Sequence, residues 1–501
     1  MFYKSTRDDS LKVTASQAIA QGISNEGGLF IPESFPDIKG ELESLSKLNY
    51  IERAKKIFSF FLTDFTEDEI AYCVENAYRP EKFENSAPTK VVKILDGEKT
   101  IYSLELWHGP TCAFKDMALQ ILPYFLTTSL KKNAQGKKAV ILVATSGDTG
   151  KAALEGFKDV ENTEIIVFYP ENGVSPMQLR QMATQEGNNV CVCAVKGNFD
   201  DCQTQVKRVF TDPEIKAQLA ENNMMFSSAN SINWGRLLPQ VVYYISTYLD
   251  LYAEGEIENL ETPVNVVVPT GNFGNILAAY YAKLMGIPFG KFICASNSNN
   301  VLTDFISGGT YNKNRPFFTT NSPSMDILVS SNLERLLYHL SGNSTESVKK
   351  WMNELNTDGS YTIDESTAEK VFELFAAGCC DDEATGKTIA EKFENLNYLL
   401  DTHTAVAFNV YDSYVENTKD VRPAIIASTA SPYKFSKSVA QAIGLDTDKD
   451  EYEIIADVNA KSGLNIPESL LALKDKEVRF NNLTDRDTIK DFVLTKLGIN
   501  K

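Results

Sequence analysis

A chain of 501 residues, 43% apolar and 23% charged, is too long for one ordinary core, so two or three domains with shared interfaces are expected. No segment approaches the roughly 18 uninterrupted apolar residues of a membrane helix, and a net charge of −18 opposes nonspecific binding to nucleic acid. Eight scattered cysteines without zinc-site or redox-motif spacing, and three histidines in the whole chain, argue against metal catalysis. The first residues, MFYKSTRDDSLK, have no apolar signal core, and the early Asp8 and Asp9 argue against a transit peptide, which makes the cytoplasm the expected compartment.

In chain order, residues 1–90 read as a mostly helical region. Apolar residues recur at helical spacing in SQAIAQGI, ELESLSKLNYIERAKKIFSFFL and EDEIAYCVENAY. From Val91 short β-branched runs alternate with amphipathic stretches, the pattern of parallel strands with crossover helices. The strand candidates are 137–144, 163–170, 188–195, 264–269, 291–297 and 422–429. Each is a continuous apolar run, as expected of strands covered on both faces. Helices are expected at 115–132, 238–254 and 275–286.

This divides the chain into the helical region 1–90, an α/β region 91–235 that includes a smaller mobile domain, a larger α/β region 236–445 and a C-terminal segment 446–501. A helical insertion is expected at about 330–400. The fold class is α/β with two open parallel sheets.

Three segments carry chemistry. The strand ending at Ala144 turns through Ser146, Gly147, Asp148 and Thr149 into a helix, and the strand ending at Pro269 turns through Gly271, Asn272, Phe273, Gly274 and Asn275 into another. A strand, a glycine loop and a helix N-terminus together present unpaired N–H groups and the positive end of the helix dipole, which suits a phosphate or carboxylate. Tight turns alone would also account for the glycines. Neither loop has the dinucleotide-binding spacing. The third segment is LELWHGPTCAFKDMALQIL, where Lys115 opens an apolar helix between Phe114 and Met117. Burial would lower its pKa and make it a candidate amine nucleophile; a side chain that snorkels to the surface also fits. His108 reads as ordering the loop before Lys115, His403 as pinning a helix start, and CVC (191–193) as buried strand.

Together HGPTCAFKD, SGDTG, PTGNFGN and STASPYKF resemble the β-family of pyridoxal-phosphate enzymes, and specifically the threonine synthases. The likeness extends to VTASQAIAQGISNEGGLFIPE, FSSANSINWGRLLPQ and DTHTAVA, in the family's order, from Val13 to about Ile443. It implies the tryptophan-synthase-β-like fold and pyridoxal 5'-phosphate held by Lys115 as a Schiff base. It further implies that Gly271, Asn272, Phe273, Gly274 and Asn275 cradle the cofactor phosphate and that Thr429 hydrogen-bonds the pyridine nitrogen. Ser146, Gly147, Asp148 and Thr149 would hold the substrate carboxylate, and Ser231, Asn233, Arg236 and Lys434 would serve the substrate phosphate or its rim. The implied reaction converts O-phospho-L-homoserine and water to L-threonine and phosphate, in a monomer or homodimer without metal, nucleic-acid or membrane partners. A phospho-lyase releasing a keto acid and a non-catalytic pyridoxal-phosphate sensor are the alternative readings.

Overall fold

A computed structural model describes residues 1–84, 87–134 and 136–499. The first strands, β1 (Tyr3–Ser5), β2 (Asp8–Val13) and β3 (Phe30–Pro32), form a small antiparallel sheet in the order β2-β1-β3. The region 1–90, expected to be mostly helical, thus also carries three short strands. In β2, DDSLKV is mostly solvent-facing, so its charged residues hide a strand from any search for apolar runs. The helices that follow begin where expected. Thr14, Asn49 and Thr66 each close a reciprocal capping box with Gln17, Glu52 and Glu69, satisfying N–H groups that a helix start leaves unpaired.

Two larger sheets follow. Strands β4 (Lys90–Leu95) and β5 (Ile101–Glu105) precede β6 (Lys138–Ala144), β7 (Thr163–Pro170), β8 (Val190–Lys196) and β9 (Met224–Ser227). Next come β10 (Val264–Pro269), β11 (Phe289–Ser296), the antiparallel pair β12 (Thr310–Asn312) and β13 (Ser360–Thr362), then β14 (Phe375–Cys379), β15 (Ala424–Ser428) and β16 (Asn482–Asp485). The larger sheet has the order β14-β11-β10-β15-β5-β4 and is parallel except for β4 against β5. The smaller, β16-β8-β7-β6-β9, is parallel throughout. By sheet membership, residues 90–105 therefore lie with the later half of the chain and 482–485 with the earlier half.

All six expected strands are present as β6, β7, β8, β10, β11 and β15. The helix expected at 115–132 is two, Asp116–Leu119 and Leu122–Asn133, with Pro123 in the first turn of the second, the one helical position where its missing N–H costs nothing. The stretch 330–400 is not purely helical, because β14, FAAGC, joins the edge of the larger sheet beside β11. No described helix is long and apolar enough to cross a membrane.

Candidate active site

The segments that follow β6, β10 and β15 meet, through Asp148 with Lys434 and Ser324 and through Gly271 against the Ser324 carbonyl, at the C-terminal ends of parallel strands, where open α/β sheets bind ligands. Lys115 reaches this place through a folded loop. The buried Asp116 carboxylate accepts from the Thr111 N–H at 2.8 Å and the Thr111 hydroxyl at 2.8 Å, and a methyl on Gly109 would lie 2.7 Å from that carboxylate. Phe114 N–H donates to the Thr429 carbonyl at 2.8 Å, and Ala113 bridges Ala430. Lys115 is thereby fastened to the end of β15. Its ammonium is pulled down to about 8 by burial, while Asp148 and Asp116 favour the charged form and Lys434 and Arg236 oppose it. The Nζ lies 4.9 Å from the Phe114 ring centroid and donates to Ser324 Oγ at 3.3 Å. Among the described residues it has no carboxylate ion-pair partner.

The loop after β10 leaves donors available. The backbone N–H groups from Gly271 to Ile276 have no acceptor among the described residues, and they open the helix Gly274–Leu284. Phe273 takes a left-handed conformation with φ 65°, uncommon for an aromatic residue and held by its surroundings. Tyr243 (2.9 Å) and Tyr244 both donate to Asn275 Oδ1, which leaves its buried Nδ2 without a partner among the described residues. Ser330 Oγ grips the Gly271 carbonyl at 2.7 Å, and Asn332 holds the Asn272 carbonyl through both its N–H at 3.0 Å and Nδ2 at 3.1 Å.

The loop after β6 has a similar design. Thr145 Oγ1 accepts from Gly147 and Gly150, at 3.0 and 2.9 Å, whereas the N–H groups of Ser146, Asp148 and Thr149 find no acceptor among the described residues. Gly147 has φ 140° and lies against the Gln178 side chain, where a Cβ has no room. The buried Asp148 carboxylate is held by Lys434 Nζ at 2.5 Å, Gln178 Nε2 at 3.0 Å and Ser324 Oγ at 3.2 Å. Burial would raise its pKa, but the charges of Lys434 and then Lys115 outweigh that and hold it well below the ordinary carboxylate range. Lys434 also donates to the Thr111 carbonyl at 3.0 Å.

The remaining expected residues divide. Arg236 is buried, donates from Nη1 to the Ala229 carbonyl at 2.9 Å, and has no partner for Nε among the described residues. Burial brings its pKa down to about 10. The Ser231 hydroxyl donates to Asn230 Oδ1 at 3.2 Å, and its carbonyl accepts from Asn332 Nδ2 at 3.2 Å. Asn233 is a correction. Its Oδ1 caps the helix Trp234–Ala253 through Gly235 N–H at 2.9 Å, and its Nδ2 donates to the carbonyls of Ile19 and Ser228 at 3.0 and 2.9 Å, so no donor is left for a ligand. Thr429 directly follows β15 and, among the described residues, its hydroxyl has no partner, nor has the buried Oγ of the neighbouring Ser431. His108 sits between Glu105 at 2.7 Å and Glu84 at 2.9 Å, bracing the loop ahead of Lys115.

Sequence reasoning missed Ser324, Gln178 and Thr111. Ser324 belongs to no motif, and only the fold brings it to Lys115. Among the described residues, what the site leaves open suits pyridoxal phosphate: a buried lysine with no carboxylate in ion-pair contact, a row of unpaired N–H groups for a phosphate, and a free hydroxyl just past a strand end for a ring nitrogen.

Comparison with known proteins agrees with this geometry. The family model described as "Pyridoxal-phosphate dependent enzyme" matches residues 85–390, and that is the class of protein the two sheets and the loops that meet at Lys115 define. The models "Threonine synthase N terminus" and "Threonine synthase, C-terminal" match residues 2–78 and 404–493. The chain belongs to the threonine synthase family of pyridoxal-phosphate-dependent lyases. It is 40% identical over 471 residues to human Threonine synthase-like 1, across 90% of this chain and 62% of that protein. It is 35% identical over 476 residues to the threonine synthase of Schizosaccharomyces pombe, across 89% and 90% of the two chains. The crystal structure of pyridoxal-phosphate-bound threonine synthase from Brucella melitensis superposes with a TM-score of 0.87 at 34% identity, covering 98% of both chains. The chain thus spans less than two thirds of the human relative's length.

Proposed function

We propose that this chain is a threonine synthase in the strict sense, converting O-phospho-L-homoserine and water to L-threonine and phosphate by γ-elimination and β-addition of water. The observation that carries this reading is a third place for an anion, beyond the loops after β10 and β6. Beside the N–H row of Gly271 to Ile276, the buried guanidinium of Arg236 has no carboxylate partner among the described residues and an unsatisfied Nε. An enzyme of this class whose substrate carries no phosphate needs only the two loops, one for the cofactor phosphate and one for the substrate carboxylate.

Lys115 would hold the cofactor, Gly271 to Asn275 its phosphate, and Thr429 its ring nitrogen. When bound, pyridoxal phosphate supplies a conjugated ring that takes up the electron pair left at Cα. Lys115, with its pKa near 8, has roughly a tenth of its amine neutral at pH 7, enough to serve as the base for the Cα proton and to carry protons to and from Cβ. The N–H groups of Ser146, Asp148 and Thr149 receive the substrate carboxylate at a helix N-terminus. Lys434 balances the charge of Asp148 beside it, so the incoming carboxylate does not meet a bare anion. Arg236, together with Ser231, holds the substrate phosphate and stabilises the charge that grows as the Cγ–O bond breaks. The burial of Lys115 and Arg236 keeps bulk water from the reacting atoms until addition at Cβ.

A cytoplasmic location and a monomeric or homodimeric state belong to the same reading. Incubation with O-phospho-L-homoserine and product analysis by NMR tests it. Threonine and phosphate are the expected products. A keto acid with phosphate would make the chain a phospho-lyase, and retained cofactor without turnover would make it a binding protein.

A further inference from the structure

Ser324 lies in the connection between β12 and β13, in the single turn Pro323–Met325, and is held from three sides. Its N–H donates to His403 Nε2 at 3.1 Å. His403 Nδ1 meets Asp401 Oδ1 at 3.0 Å, and that carboxylate also caps the helix Thr402–Thr418 through the His403 N–H at 2.9 Å. An imidazole that accepts at Nε2 and faces a carboxylate at Nδ1 carries its proton on Nδ1. On the second side the chain around Ser324 is wrapped on Asp326, which receives Asn297 Nδ2 at 2.7 Å, Asn299 Nδ2 at 3.0 Å and the Thr320 hydroxyl at 2.7 Å. On the third, the Ser324 carbonyl stands so near the loop after β10 that a methyl on Gly271 would lie 2.8 Å from it.

The Ser324 hydroxyl faces two groups, Asp148 Oδ2 at 3.2 Å and Lys115 Nζ at 3.3 Å. A hydroxyl has one proton, and an ionised carboxylate can only accept. The proton therefore goes to Asp148, and the oxygen lone pairs are left to face Lys115. We propose that Ser324 receives the amine of Lys115 whenever the substrate has displaced it, and that His403 and Asp401 are the positioning residues that keep Ser324 in place. This rests on Lys115 being the cofactor lysine. A displaced lysine on a four-carbon stem is free to turn about every bond of that stem. One N–H committed to Ser324 fixes the rotation about Cε–Nζ and so the direction of the lone pair that must meet the Cα proton. The charged groups that act on Lys115 are Asp148 and Asp116 on one side of the balance and Lys434 and Arg236 on the other. Since they oppose one another, the hydrogen bond sets the orientation.

The test is the pH dependence of Lys115 acetylation in the intact cofactor-free chain, read by peptide mass spectrometry, with thermal melting to verify folding. Ser324→Ala removes an acceptor of the ammonium while Asp148 keeps Lys434 and Gln178. The labelling midpoint should fall by about half to one pH unit, the equivalent of one net hydrogen bond. Ser324→Thr should restore it. His403→Leu should move the midpoint in the same direction by releasing Ser324, and His403→Gln, which can still accept, should bring it back. In the reconstituted enzyme, Ser324→Ala should lower kcat about tenfold with KM little changed and enlarge the primary isotope effect of α-deuterated substrate. An unmoved midpoint in folded Ser324→Ala overturns the proposal. Should His403→Leu not fold, Ser324→Ala decides alone. The labelling makes no use of substrate, so its failure is distinguishable from failure of the proposed reaction.

Discussion

Replacing Lys434 by methionine isolates the buried ion pair that joins the loop after β6 to the segment after β15. Lys434 Nζ is 2.5 Å from Asp148 Oδ1, with side-chain exposures of 0% and 3%. Removing one partner of such a pair leaves an uncompensated buried charge and costs about 3–5 kcal/mol, whereas removing both is often close to neutral. Asp148 retains Gln178 at 3.0 Å and Ser324 at 3.2 Å, so the lower end, about 3 kcal/mol at pH 7, is expected. The double variant Asp148→Asn/Lys434→Met should recover most of it. In the wild type, burial would raise the Asp148 pKa, but Lys434 and Lys115 hold it depressed. The contribution is therefore present above the unfolded carboxylate value near 4 and is lost as pH falls through the depressed folded value. In Lys434→Met burial dominates, Asp148 takes up its proton at higher pH, and the penalty shrinks on acidification. Urea unfolding followed by tryptophan fluorescence at pH 7 and pH 5 measures each term. A Lys434→Met chain within about 1 kcal/mol of wild type at pH 7, or a double variant no better than the single, would refute the reasoning.

Gly271→Ala sets a methyl against the Ser324 carbonyl at 2.8 Å and should weaken pyridoxal-phosphate binding by about tenfold or more, the equivalent of roughly 1.4 kcal/mol, in an absorbance titration. Cofactor-free Lys115→Met should be more stable than the wild-type chain at neutral pH by roughly 3 kcal/mol, because burial depresses the lysine from 10.5 to about 8. Between those values the unfolded wild-type chain binds the extra proton, so wild-type stability rises with pH and the difference between the two chains closes toward pH 10.5; denaturation midpoints across that range measure it. Arg236→Ala should raise KM for O-phospho-L-homoserine and lower kcat/KM by one to two powers of ten, the equivalent of about 1.5–3 kcal/mol for a charged hydrogen bond, with the cofactor spectrum unchanged.

The strands that bear the loops were legible because each is an apolar run covered on both faces. By contrast, β2 is polar and mostly solvent-facing, and β14 is built from Ala and Gly, poor strand formers whose pairing with β11 is a tertiary effect. The split of the Lys115 helix at Pro123 was readable in principle, since a proline in the first turn marks a start. The glycine loops were legible because chemistry and backbone coincide there: the residues that make the turn also supply the N–H groups. Asn233 misled because an amide at a helix start serves capping as well as it serves a ligand. Ser324 was out of reach, since its place depends on Asp326, His403 and the backbone at Gly271, none of them near it in a recognisable pattern. Asp148 in a site expected to take a carboxylate is explained only by the lysine that the fold delivers from residue 434.

Borohydride reduction of the cofactor-loaded protein, followed by peptide mass spectrometry, tests the central claim most directly, that Lys115 carries pyridoxal phosphate between two loops that hold anions. The expected result is a yellow protein that loses its colour on reduction, with one phosphopyridoxyl group on the peptide containing Lys115 and none elsewhere. A label on another lysine, or a folded chain that binds no cofactor after reconstitution, would contradict it.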